Sequence, residues 1–208
     1  MKTVYHRSIT VQALEPYFDP AALGSVIAAN LGQDALRYQI GHDHFHYDNN
    51  AFVAGDAYLD QLRRAVTDAL QRGEGEAARQ FLGRLTHTAQ DFYAHSNYIS
   101  LWRELYPQEP PEKVHPQLVN LLKDQRLRSG RLYFPLEVFS FIPFLKPQVL
   151  PLLPRDSHAW MNLDDPSRPN FEYAFAAAVK RTRNEYLSLT ERLSGAHARL
   201  LTGKRAEG

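Results

Sequence analysis

The chain has 208 residues, 44% of them hydrophobic, with a formal net charge of +1 and no cysteine. That length suits one domain with a real core, and the balanced charge supplies no global field for duplex nucleic acid. Without cysteine, disulfides and thiolate metal sites are excluded, leaving histidine, aspartate and glutamate as ligands.

In chain order, the opening Met1 to His6 lacks the apolar core of a signal peptide. A cytoplasmic location, or export without a classical signal peptide, is therefore expected. Ser8 can cap a short helix through Leu14. Asp19-Pro20 is a cap followed by proline at the first helical position, opening a helix to about Leu31. His42, His44 and His46 then cluster within five residues. Ala57 to Arg72 carries Leu59, Leu62, Val66 and Leu70 at helical spacing, and Gly73 can end it. One long helix is expected from Glu74 to Leu101. Pro107, Pro110 and Pro111 break the chain before a helix from about Pro116 to Arg128. The last long helix spans about Asn170 to Ser194. The periodicity predicts an all-α, single-domain helical bundle over 1–202, with 203–208 a disordered tail.

Leu132 to Leu153 reads LYFPLEVFSFIPFLKPQVLPLL. It approaches a membrane span in length, but Pro135, Pro143, Pro147 and Pro151, with Glu137 and Lys146, argue against a spanning helix. It reads either as a kinked segment packed on the bundle or as an apolar wall beside a site. In the second reading Phe139 and Phe141 touch substrate, and the segment makes peripheral membrane contact.

The chemistry concentrates in His87-Thr-Ala-Gln-Asp91-Phe-Tyr-Ala-His95-Ser-Asn. On a helix, each four-residue step turns about 400°, so His87, Asp91 and His95 drift only about 40° per step and share a face. Two imidazoles flanking a carboxylate suit a transition metal, and a carboxylate can bridge two ions. An amphipathic helix also needs a polar face, and spacing alone does not separate the two readings.

The same block resembles the heterokaryon-incompatibility protein C family, within the wider group of zinc-dependent phospholipases C and single-strand nucleases. His6-Arg-Ser-Ile-Thr10, His44-Phe-His46-Tyr-Asp48-Asn and His158-x-x-x-Asn162-Leu-Asp164 are similar to other segments of that family, in the same order. The resemblance implies a bundle of the phospholipase C type with two or three zinc ions. One ion would take Asp34, His46, His87 and Asp91, with His44 competing with His46. A second would share Asp91 with His6. A third would take His95 and His158, with Asp164 the nearest anion, because Asn162 stands where the family has a carboxylate. The family's N-terminal tryptophan has no counterpart beside Met1. The resemblance further implies phosphodiester hydrolysis, with Asp34 as ligand or as the base that orients water; the apolar Leu132 to Leu153 segment favours phospholipid over nucleotide as the substrate. A single-strand nuclease, or a metal-stabilised protein without turnover acting in incompatibility, toxicity or defence, is the alternative. Asp48 is expected to hold His46 or a nearby amide.

Overall fold

A computed structural model describes residues 1–39, 41–140, 142 and 144–204, leaving aside the side chains of Leu36 and Gln39. Among the described residues the fold is all-α. The long helices are Thr3–Leu14, Pro20–Gly32, Phe52–Gln71, Gly75–His95 and Phe171–Thr190, with shorter ones between and after them. Among these residues no strand forms, only the isolated bridges Ser96–Ser129 and Arg131–Ser157. No helix among the described residues is long and apolar enough to cross a membrane.

Local signals explain the ends. The Asp19 carboxylate accepts from Ala22 N at 2.7 Å, and Pro20 fills the next position. Gly73 takes φ +76° where the Phe52–Gln71 helix must stop. Gly203, at φ +71°, closes the Gly195–Thr202 helix, and Lys204 Nζ donates to Pro16 O at 2.7 Å. Gly203 and Lys204 are therefore placed against the bundle, while 205–208 lie outside the described residues.

Three expected helices differ. The first begins at Thr3 rather than after Ser8, whose hydroxyl sits inside the helix and donates to Val4 O at 3.0 Å. The predicted Glu74 to Leu101 helix divides at Ser96, whose backbone is extended (φ −106°, ψ 165°). Asn97 N donates instead to Arg128 O, and a second helix runs Tyr98–Leu105. The predicted Pro116 to Arg128 helix shrinks to Val119–Leu122. Tyr98 Oη bonds His115 O and Leu118 N, and the Asp124 carboxylate bonds Arg126 N, so neighbouring groups take over backbone partners a helix would have supplied.

The Gly75–His95 helix is the axis of the molecule. It packs against Pro20–Gly32, Phe52–Gln71 and Phe171–Thr190, and every residue from Leu85 to Ser96 is buried. Its apolar stripe of Leu82, Leu85, Ala89 and Phe92 joins the core. Its polar face is buried too, which a helix tolerates only if those groups find partners.

Gly83 sets how closely this axis meets the Pro20–Gly32 helix. A Cβ there would lie 2.4 Å from Val26 O, 2.6 Å from Ala29 Cβ and 2.8 Å from Asn30 N. Backbone cannot yield as a flexible side chain would. Alanine normally gains about 1 kcal/mol over glycine in a helix, but overpacking against backbone costs about 1–3 kcal/mol or more. Gly83→Ala is therefore expected to lower the melting temperature, as thermal unfolding of the two proteins would show. A rise would mean that the helices separate freely.

Candidate metal centre

Five stretches converge on the buried polar face of the axis helix. Asp91 is at the middle, and its two oxygens face different neighbours. Oδ2 lies 2.8 Å from His46 Nδ1 and 3.0 Å from His87 Nε2. Oδ1 lies 3.1 Å from His6 Nε2, 2.8 Å from the Met1 amine and 3.7 Å from His95 Nε2. Asp34, in the turn after the Pro20–Gly32 helix, brings Oδ1 to 3.6 Å from His87 Nε2. Asp164 Oδ1 is 3.5 Å from His95 Nε2 and 3.2 Å from the Met1 amine. Among the described residues, two groups of side chains could hold a metal ion, each with its ligand atoms within 4.8 Å of one another. One is His6, Asp34, His87 and Asp91, and the other is Asp48, His95 and His158.

Ligands bound to one ion at about 2.0–2.2 Å lie about 3.3–3.6 Å apart in a tetrahedron; the contacts of His87 with Asp34 and of His95 with Asp164 fall near that range, while those of 2.8–3.1 Å around Asp91 are hydrogen-bond lengths that would open by a few tenths of an ångström to admit a cation. Hydrogen bonding around His6 makes the case sharper. The Thr10 hydroxyl spends its one hydrogen on His6 O at 2.8 Å, so toward Gln90 it can only accept. Gln90 Nε2 donates to Thr10 Oγ1 and Thr182 Oγ1, both at 3.1 Å. This fixes the amide, and Gln90 Oε1 accepts from His6 Nδ1 at 2.6 Å and from Asn30 Nδ2 at 3.4 Å. Burial lowers the His6 pKa, and the Met1 ammonium adds to the effect, so the ring carries one proton. With that proton on Nδ1, Nε2 presents a bare lone pair to the Asp91 carboxylate and makes no hydrogen bond. A lone pair facing an anion in a buried site calls for a cation between them.

The electrostatics agree. Burial alone would raise the Asp91 carboxyl, but the Met1 ammonium and the surrounding histidines hold it well below the usual carboxylate range. Burial pushes His87 down to about 4 against the pull of Asp91. Asp164 is held far down in the same way as Asp91, and its Oδ1 makes no hydrogen bond. Burial lowers the Met1 amine, yet Asp164, Asp91 and Asp34 raise it to about 11. The site favours positive charge.

The second group is assembled by backbone. Tyr47, Asn49 and Asn50 all take left-handed conformations, for which asparagine carries the smallest penalty among residues with a side chain. This turn is stitched to 129–132. Asn50 Oδ1 accepts from Ser129 N at 2.7 Å, Asn49 Oδ1 accepts from Leu132 N at 2.8 Å, and Asn49 N donates to Gly130 O at 2.8 Å. The far side of the same segment holds His158, whose N donates to Arg131 O at 2.8 Å. Gly130 N donates to His95 O at 2.9 Å, and a Cβ on Gly130 would meet His158 Cα at 2.5 Å. Only glycine lets the two histidine-bearing backbones close around it. Asp48 Oδ1 then lies 2.9 Å from His158 Nδ1 and 3.4 Å from His95 Nδ1. Asp48 thus faces His95 and His158, where the sequence suggested a partner for His46.

His6, Asp34, His46, His87, Asp91, His95, His158 and Asp164 are all brought to this cluster. Asp34 and Asp164 form its rim, with side chains 26% and 24% exposed, while the others are buried. His44 instead packs edge-on against His42, Phe45 and Tyr58. Phe139 is half exposed on the Leu136–Ser140 helix. Phe141 lies outside the described residues. Sequence reading passed over Asp48 as a ligand, and Gln90 and Gly130 altogether. The tandem asparagines after Asp48 were the available signal of an unusual turn.

Gln90 gives a direct test. Gln90→Leu keeps the volume but frees His6 to turn, and is expected to weaken metal affinity about 10–100-fold, as loss of a partner behind a ligand histidine does. Competition against a chelating dye would measure it; unchanged affinity would mean that His6 needs no orienting partner.

This geometry defines a class: an all-helical domain built around a buried histidine–aspartate centre. Residues 2–114, over half of the chain, match the family model described as the VWA7 N-terminal domain, and the chain belongs to that family. It is 38% identical over 99 residues to von Willebrand factor A domain-containing protein 7 of Rattus norvegicus, covering 48% of this chain and 10% of the relative. For the Homo sapiens protein of that name the figures are 37% over 110 residues, 50% and 11%. The chain thus spans about a tenth of the length of these relatives. No solved structure gives a significant match.

These findings overturn the resemblance to the heterokaryon-incompatibility protein C family and the zinc-dependent phospholipases C. The phospholipase-type bundle, phosphodiester hydrolysis, the nuclease alternative and the incompatibility role fall with it. The physical reason lies in the motif itself. A helix that presents three ligand-type side chains to one buried point must space them four apart, so the pattern reports geometry more than ancestry. The matched stretch holds His6, Asp34, His46, Asp48, His87, Asp91 and His95; His158 and Asp164 lie beyond it.

Proposed function

We propose that this chain is a zinc-binding helical domain that holds two ions in adjacent buried sites. His6, Asp34, His87 and Asp91 hold the first, with His46 on the second oxygen of Asp91. Asp48, His95 and His158 hold the other, with Asp164 at the rim. The observation that carries the reading is the His6 lone pair turned by Gln90 toward the Asp91 carboxylate. Zinc suits a cysteine-free set of imidazole and carboxylate ligands in groups of three or four. By this reading the centre organises the fold, since it joins segments that no single helix could bring together. In the far longer relatives the equivalent region would serve as a metal-stabilised module beside their other domains.

The test is metal analysis of protein purified without chelator, followed by zinc titration. Two zinc ions per chain are expected, with clear loss in His87→Ala. A protein that takes up no divalent metal after reconstitution would overturn the assignment.

A further inference from the structure

The segment from Gly130 to Ser157 leaves the bundle and returns to it. It is pinned from within: Ala159 N donates to the buried Glu137 carboxylate at 2.6 Å, the Tyr133 hydroxyl donates to Asp156 at 2.8 Å, and Trp160 Nε1 donates to Leu150 O at 3.0 Å. The Leu136–Ser140 helix packs on Lys146–Val149 and on His158–Met161. The segment is therefore a built projection with a fixed base. Its tips are apolar and open: Phe134 is 79% exposed, Phe144 73% and Leu152 68%. Val138 and Phe139 are half exposed beside them. Large aromatic side chains left in water at this density mark a surface that something covers.

Charge indicates what covers it. Residues 128–157 contain four basic side chains, Arg128, Arg131, Lys146 and Arg155, and two acidic ones, Glu137, which is buried, and Asp156, which lies 3.8 Å from Arg131. Arg128, Arg131 and Arg155 are exposed. The whole chain has a net charge of only +1, whereas the segment that bears the apolar tips carries two more basic than acidic side chains. A second copy meeting the same face would bring like charges together. We propose that this projection docks the domain on an anionic lipid bilayer. Phe134, Phe144 and Leu152 enter the boundary between headgroups and acyl chains, and the arginines meet the lipid phosphates and carboxylates. The contact is peripheral. The projection's apolar tips are not ligands of the metal centre, although its base at 130–132 is bonded to the turn that carries Asp48, and it lies beyond the stretch matched by the family model.

Vesicle co-sedimentation of the full chain tests this, using phosphatidylcholine vesicles with and without phosphatidylserine, each with and without chelator. The chain is expected to pellet with phosphatidylserine vesicles, less so as salt rises, and with or without chelator. Phe134→Ser with Phe144→Ser should weaken that binding roughly tenfold or more. Arg128→Glu with Arg131→Glu should remove the preference for phosphatidylserine. These side chains are exposed, so melting temperatures should match the parent, and a matching melt separates lost docking from lost folding. Failure of the parent chain to pellet with phosphatidylserine vesicles would overturn the proposal. So would binding indifferent to both double variants, or capture by an acidic protein surface with no affinity for lipid.

Discussion

Stripping zinc from the loaded domain is expected to lower its melting temperature by roughly 10 °C, and re-addition should restore it. A ligand present at a thousand times its dissociation constant stabilises the folded state by about 4 kcal/mol, and a domain of this size shifts its midpoint by about 2–4 °C per kcal/mol. The donors explain why the effect should be large. They come from residues near 6, 34, 46–48, 87–95 and 158–164, so the unfolded chain has no comparable arrangement to bind. Without the ion, His6 Nε2 and Asp164 Oδ1 remain buried with no hydrogen bond, a state that burial penalises. Scanning calorimetry on loaded and chelator-treated protein measures the shift. Superimposable curves after verified metal removal would remove the centre from the stability of the fold.

Asp91→Asn is expected to empty more of the centre than Asp48→Asn. Asp91 faces His46 and His87 with one oxygen and His6 with the other. An amide cannot supply negative charge in both directions, and its NH2 would oppose one set of neighbours. Asp48 serves only the His95 and His158 side. Asp91 Oδ1 also lies 3.7 Å from His95 Nε2, so the Asp48 variant should retain the first ion, while the Asp91 variant should lose the first and hold the second more weakly. Asp91→Asn should also destabilise the protein by about 3–5 kcal/mol, as removal of one partner from a buried charged network does. Zinc per chain in the two purified variants decides the matter. Equal occupancy, or greater loss with Asp48→Asn, would place the bridge elsewhere.

Much of this molecule could be read from local pattern. The long helices announce themselves through apolar residues at helical spacing and through Asp19-Pro20 and Gly73. The four-residue spacing of His87, Asp91 and His95 follows from helix geometry, and that face does turn inward. What escaped was set by contacts distant in sequence. No glycine or proline marks Ser96, where the axis helix breaks; the break is imposed by pairing with Ser129. The stretch from Pro116 to Arg128 has helical composition, but Tyr98 and Asp124 capture its backbone. Gln90 looks like any surface glutamine until Thr10, Thr182 and His6 close around it. The family assignment failed for a related reason: a short motif dictated by side-chain geometry says little about descent.

The meeting of His158 with Asp48 joins positions 110 residues apart in a chain that contains no cysteine. An ion seated there would do mechanically what a disulfide does, closing a long loop whose closure entropy is otherwise lost only on folding. Unlike a disulfide it would need no oxidising compartment, and it would open to a chelator rather than a reductant. A backbone cut in the exposed projection between Phe134 and Leu152 would then leave two fragments clasped through the ion. The Phe171–Thr190 helix also packs on the axis helix, so the fragments would travel as one particle on a sizing column, and withdrawing the metal would lower the denaturant needed to part them.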